Sequence, residues 1–133
     1  MIIPEIKYKQ FVIVPKNPKM SKGKIASQVA HATFMALEKQ RKTKKGKEII
    51  TKWKQSGMCV IVLECPTQVE LMNIKTYCEQ WDIQSHLYID EGITEITMGT
   101  ATAFATGVVE QEQFWIMSQL KLFKERWWEI LTE

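Results

Sequence analysis

The sequence predicts an α/β protein, a three-layer sandwich with helices on both faces of one sheet. Three observations carry this reading. Stretches patterned as strands and as helices alternate along the chain, the order that builds helices around a sheet. Pro and Gly punctuate the joins, at Pro15, Gly57, Pro66 and Gly99. A chain of 133 residues with 45% hydrophobic and 25% charged content suits one soluble globular domain with a proper core.

Met1 to Lys7 reads as a short lead-in. Tyr8 to Val14 (YKQFVIV) is rich in strand-forming residues and stops at Pro15, so it predicts a central strand. Pro15, Asn17 and Pro18 make a turn. A helix follows, capped by Ser21 and running to about Gln40. Ile25, Val29, Ala32 and Ala36 fall on one stripe at helical spacing, and Ala26, Ala30 and Thr33 form a second face of small residues. Lys24, Gln28, His31 and Met35 share a third stripe. The pattern predicts a helix buried on most sides with its N-terminal tip open. Arg41 to Lys47 is a basic run that reads as a solvated connection or, more sharply, as a phosphate contact through Lys42, Lys44 and Lys45. Glu48 to Gln55 is a short helix carrying Ile49, Ile50 and Trp53, closed by Gly57.

Met58 to Cys65 (MCVIVLEC) is almost continuously apolar, the pattern of a strand covered on both faces. Pro66 and Thr67 open a helix from Gln68 to Trp81, with Val69, Leu71, Met72, Ile74, Tyr77 and Cys78 toward a core. Ile83 to Ile89 alternates as a strand, leaving His86 on the face opposite Leu87 with no partner that the sequence names. Asp90 to Thr100 is a polar loop, Ala101 to Val108 a strand of small residues, and Glu110 to Leu122 a terminal helix. The tail carries Trp127, Trp128, Ile130 and Leu131, which pack back on the domain or against another subunit.

A net charge of +3 is mildly basic; it fits a nucleic-acid partner without requiring one. Cys59, Cys65 and Cys78 are odd in number and lie in apolar or helical patterns, as expected for reduced core cysteines of a cytosolic protein. No apolar run is long enough to span a bilayer, and the N-terminus lacks a secretory signal pattern.

The first turn of the long helix breaks a local rule. A helix N-terminus attracts acidic side chains, yet here Lys22, Gly23 and Lys24 follow the Ser21 cap. Free N–H groups, two ammonium groups and a glycine open to close approach make an anion site; the bland alternative is a solvated pair of lysines. Open α/β sheets place sites beyond strand ends. Lys22 follows the first strand, and Asp90 and Thr94 follow the third, so the two loops meet if those strands are neighbours and run parallel. Without a second metal-ligating group at suitable spacing, His31 reads as a hydrogen-bonded structural histidine before a catalytic one.

SKGKIASQVAHA at residues 21–32 and DEGITEITMGTATAFATG at 90–107 closely resemble the type-2 peptidyl-tRNA hydrolases of archaea and eukaryotes. YKQFVIV, Trp53 ahead of Gly57, and MCVIVLECPTQVEL match in order and spacing, so the resemblance covers Tyr8 to Phe123. It implies a mixed sheet of four or five strands flanked by helices, a domain over residues 1–123 with an aromatic-rich extension at 124–133, and a homodimer in the cytoplasm. The implied reaction is hydrolysis of the ester between a peptide and the 3′ end of tRNA, with water and without metal or cofactor. The implied catalytic residues are Lys22, Asp90 and Thr94. Asp90 would take the proton from the attacking water, or orient it, kept ionised by a neighbouring lysine, while Lys22 and the Thr94 hydroxyl would stabilise the oxyanion. Lys16, Lys19, Lys24, Gln28, His31, Lys42 and Lys44 are the candidate tRNA contacts.

The sequence departs from the family pattern in places. Pro15-Lys16-Asn17-Pro18 stands where an arginine and an aspartate are common, with Lys16 a weaker substitute for the arginine. Met98 precedes Gly99 in place of proline, and Val108 follows Gly107 where proline is usual. Two other functions stay open at this level: a non-catalytic member that binds tRNA or a protein, and a hydrolase of another ester or amide with an anionic handle.

Overall fold

The computed structural model describes residues 7–90, 99–110 and 113. Its elements run β1 (Tyr8–Pro15), α1 (Lys22–Gln40), α2 (Lys44–Gln55), β2 (Val60–Cys65), α3 (Gln68–Gln80), β3 (Ser85–Ile89) and β4 (Ala101–Glu110). The strands form one mixed sheet in the order β2-β1-β4-β3. β1 and β2 are parallel, and β4 runs antiparallel to both β1 and β3. The directions of β1, β2 and β3 therefore agree. Their carboxyl ends and the start of β4 share one end of the sheet.

Three apolar clusters hold the layers together. Val12, Ala103 and Ala105 of the sheet pack under Ala32 and Ala36 of α1. Tyr8 and Val108 pack under Ile50 and Trp53 of α2. On the opposite face, Phe11, Ile13, Leu63 and Phe104 meet Leu71, Ile74 and Cys78 of α3. This is the three-layer arrangement expected, with two helices on one face and one on the other.

Ser21 caps α1 as expected, its hydroxyl accepting from the Lys24 N–H at 3.2 Å. The helix is buried along one stripe only, Gln28, Ala32, Ala36 and Gln40. Ala26 and Ala30 are exposed, which corrects the expectation of burial on most sides. Small residues permit close packing, but nothing among the described residues covers that face. The basic run is corrected too. Thr43 caps α2 by accepting from Gly46 N–H, so Lys44, Lys45 and Lys47 are its first turn and not part of a loop. Gly46 permits this junction: a Cβ there would lie 1.8 Å from the Gln40 carbonyl oxygen.

β2 is an edge strand, and Val60 and Val62 are 43% and 49% exposed, so it is not covered on both faces. Its apolar run suggested burial because periodicity reports side-chain type and not sheet position. On α3, capped by Thr67, Val69 and Met72 face outward, against the core role expected for them. β3 begins at Ser85, with Ile83 buried just ahead of it. β4 extends through Glu110, so the terminal helix does not begin there. Apart from Gln113, whose Oε1 accepts from Glu110 N–H, the rest of that helix, the loop over 91–98 and the aromatic tail lie outside the described residues.

β4 carries two irregularities. Gln10 pairs with Val108 and Val12 with Ala105, an extra residue on β4. Tyr88 pairs with Ala103 and Ile89 with Ala101, again an extra residue on β4. Each bulge reverses the in–out alternation of the side chains that follow. The first lets Ala105 and Val108 face the α1–α2 layer together. It is pinned by Gln10 Nε2 on the Thr106 carbonyl (3.0 Å), by Thr106 Oγ1 accepting from Phe11 N–H (3.1 Å), and by Gln40, which bonds both backbone groups of Val108 at 2.8 Å. Gln40 comes so near that a Cβ on Gly107 would sit 2.6 Å from its Oε1.

All three cysteines are free. Burial, reinforced by Glu70, pushes the Cys65 thiol up to about 11; burial and then Glu79 push Cys78 up to about 12. Neither supplies a thiolate near neutral pH.

His86 lies opposite Ala105 in the β3–β4 ladder, and among the described residues its Nδ1 is buried without a hydrogen-bond partner. Burial and then the Lys39 ammonium hold its pKa below the usual 6.5. A pKa lowered by folding gives stability that is present above the unfolded value and is lost as pH falls from about 6.5 through the lowered one. Thermal melts at pH 7.5 and 5 are expected to show a smaller drop for His86→Phe than for the wild type. Equal drops would show that His86 does not carry this dependence.

Candidate active site

The sheet end that gathers the carboxyl ends of β1, β2 and β3 also receives the N-termini of α1 and α3. Asp90, the residue after β3, is 4% exposed. Its backbone is clamped, its N–H donating to the Thr100 carbonyl (2.9 Å) and its C=O accepting from Gly99 N–H (3.0 Å). Its carboxylate oxygen Oδ1 accepts from Lys24 Nζ at 2.7 Å and from Gln28 Nε2 at 3.3 Å. Gln28 Nε2 also donates to Thr102 Oγ1 at 2.6 Å. The Lys24 and Asp90 side chains are 12% and 5% exposed, so this is a buried ion pair, unlike the exposed pairs Glu38–Arg41 and Lys75–Glu79.

Each contributor is placed by local chemistry. Lys24 and Gln28 are one turn apart on α1, so both reach the same spot. Thr102 is the extra residue of the second β4 bulge. In a regular strand it would face away from the Ala103 side; the bulge turns it toward α1, while Ala101 joins the α3-side core. On the α3 side, Gln68 Nε2 donates to the Asn17 carbonyl (2.9 Å) and the Ala101 carbonyl (2.7 Å), tying the β1–α1 connection to the start of β4.

The condition set for the two loops holds only in part. β1 and β3 are parallel but not adjacent; β4 lies between them, and α1 bridges the gap from above. The lysine that reaches Asp90 is Lys24. Lys22 stands on the exposed first turn of the same helix. Gln28 is 2% exposed, which places it beneath the site as a support for Asp90 and not on a tRNA-facing surface. Lys16 and Lys19 are exposed at the site end. Lys42, Lys44 and Lys45 are exposed beyond the other end of α1, about 28 Å away for a helix of 19 residues. His31 is exposed and stacks on Tyr88, with ring centroids 4.8 Å apart and planes 5° apart, and not as a hydrogen-bonded core residue. Thr94 lies outside the described residues.

Thr102 is the functional-site residue that sequence reasoning missed. Its only signal is a hydroxyl within a run of small residues, and its orientation depends on a bulge. Among the described residues no group of three or more His, Cys, Asp or Glu is placed to hold a metal ion.

A buried acid tied to a lysine of the α1 tip thus sits at the carboxyl ends of the parallel strands of an α/β fold. The chain belongs to the peptidyl-tRNA hydrolase PTH2 family, whose family model matches residues 8–123. It is 37% identical over 106 residues to the peptidyl-tRNA hydrolase of Thermococcus onnurineus (strain NA1), covering 80% of this chain and 88% of that one. The peptidyl-tRNA hydrolase of Thermococcus sibiricus (strain DSM 12597 / MM 739) is 39% identical with the same coverage. A probable peptidyl-tRNA hydrolase 2 of Dictyostelium discoideum is 31% identical over 104 residues, 78% of this chain and 49% of that protein.

Gln28→Leu keeps the bulk of the side chain but strands the Thr102 hydroxyl and removes a donor from Asp90. Leaving such buried groups unpaired costs about 1–3 kcal/mol. Urea unfolding is expected to show a loss of that size, and an unchanged midpoint would show that the amide does not hold the site together.

Proposed function

We propose that the protein hydrolyses the ester between the peptide of a peptidyl-tRNA and the 3′-terminal ribose, releasing free tRNA. The observation that carries this reading is the buried Lys24–Asp90 pair at 2.7 Å, in a chain of this family. Asp90 takes a proton from water, or orients it, as the water oxygen bonds to the ester carbonyl carbon. The tetrahedral oxyanion is stabilised by positive groups at the α1 tip: the Lys22 ammonium and the first-turn N–H groups of Lys22 and Gly23, which precede the first intrahelical bond, from Ile25 N–H to Ser21. The Thr94 hydroxyl is assigned to the same task by family resemblance. The carbon–oxygen ester bond then breaks, and the proton passes to the departing ribose oxygen. Lys24 compensates the charge of Asp90, a closer role than the phosphate contact expected for it.

The catalytic unit is residues 1–123, with 124–133 an extension, acting on tRNA in the cytoplasm. No helix among the described residues is long and apolar enough to cross a membrane. Lys16 and Lys19 contact the tRNA near its 3′ end, and Lys42 and Lys44 contact its phosphates farther along. A homodimer is the assembly this reading favours, because Val60 and Val62 of the edge strand β2 turn half-exposed side chains to the same face as Gln10 and Val12. Sedimentation at micromolar concentration is expected to give twice the chain mass; a monomer would refute the dimer.

Deacylation of N-acetyl-aminoacyl-tRNA tests the function. Asp90→Asn, Lys24→Ala and Lys22→Ala are each expected to lower kcat/KM at least about a hundredfold. Lys24→Ala should also lower stability, because it removes the cation paired with a buried carboxylate, whereas Lys22→Ala should not. Tight tRNA binding by a wild type that cleaves no ester would establish the non-catalytic alternative instead.

A further inference from the structure

Beside Asp90 lies a feature the hydrolytic chemistry does not use. Tyr88 rests on the α1-side core cluster with the His31 ring parallel to it at 4.8 Å. His31 is exposed, so the outer imidazole face is open to a third ring. An exposed histidine contributes little to a core, whereas parallel aromatic faces at a surface are what bases stack upon.

Position selects the ring that fits. Tyr88 on β3 precedes Asp90 by two residues, about 7 Å of extended chain, and His31 follows Lys24 by two turns, about 10 Å along α1. The ester and the terminal base of a peptidyl-tRNA hang on the same ribose, so a carbonyl at Asp90 puts that base one sugar away. Charge gives the direction. Farther along the same flank Lys39 Nζ donates to the Ser85 carbonyl at 3.4 Å, and Lys45 lines a cavity together with Gln84, just ahead of β3. The Asp90 end thus receives the acyl group, and positive charge accumulates toward the other end, where the phosphates of a polynucleotide are accommodated.

We infer that the stacked His31–Tyr88 pair is the subsite for the 3′-terminal adenine of tRNA, the single-stranded end running along the α1–β3 flank toward Lys39 and Lys45. This rests on the hydrolase reading and adds to it how the substrate is aligned. Stacking binds the base equally in ground and transition states, so its loss appears in KM and not in kcat.

The test uses N-acetylglycyl-tRNA and N-acetylphenylalanyl-tRNA, together with uncharged tRNA carrying 2-aminopurine in place of the terminal adenine. Wild type is expected to quench 2-aminopurine fluorescence on binding. His31→Ala, on an exposed helix position, should abolish the quench and raise KM about tenfold for both substrates, with kcat within about twofold. His31→Phe should restore the quench and a KM within about twofold of wild type. An unchanged KM and quench in His31→Ala would overturn the inference. An effect confined to the phenylalanyl substrate would overturn it too, assigning the platform to the peptide side chain. A wild type that quenches the probe but cleaves neither ester would refute the hydrolase reading and leave the adenine subsite standing.

Discussion

Burying the Asp90 carboxylate is the constraint on which the architecture around the site depends. A carboxylate at 4% exposure is tolerable only when opposite charge and donors surround it. The first turn of α1 must therefore dock over the end of β3, so that Lys24 and Gln28 come down on one oxygen. The apparent fault of that turn, lysines where acidic residues belong, follows from this. Lys24 is unfavourable to its own helix dipole and is repaid by a carboxylate from the far side of the chain.

The two bulges of β4 meet the same constraint from below. β4 must present small side chains to α1 at Ala103 and Ala105, and it must also turn a hydroxyl toward Gln28 at Thr102. A strand of strict alternation cannot place neighbouring residues on one face. One added residue resolves the conflict. The first bulge, clamped by Gln10 and Gln40, lets the strand pass from the α1 layer to the α2 layer. Four polar side chains buried in the sheet and helices, Gln10, Gln28, Gln40 and Thr106, thus serve strand irregularities or the site and not the apolar core.

The protein is polar along α1. One end has the acid, its lysine and the open helix tip; the other has the exposed lysines at the start of α2. Lys42 and Lys44 stand about a helix length, ~28 Å, from the Lys24–Asp90 pair.

Much of this was legible in the chain. The alternation of elements, the Ser21 cap, the helix opened by Pro66 and Thr67, and the family followed from local pattern and from two long motifs. Edge and centre were not legible: Met58 to Cys65 is as apolar as a central strand, and only the sheet order leaves Val60 and Val62 half exposed. Nor could spacing choose between Lys22 and Lys24, because both flank Gly23 and the choice depends on which flank of α1 faces Asp90. Sequence by itself determined the elements and the residue types at the site, since capping, periodicity and motif are properties of neighbours along the chain. Tertiary structure alone decided which lysine meets the acid, that Gln28 is a support and that Thr102 belongs to the site, since those depend on how distant segments are rotated against one another and on a bulge that no local pattern encodes.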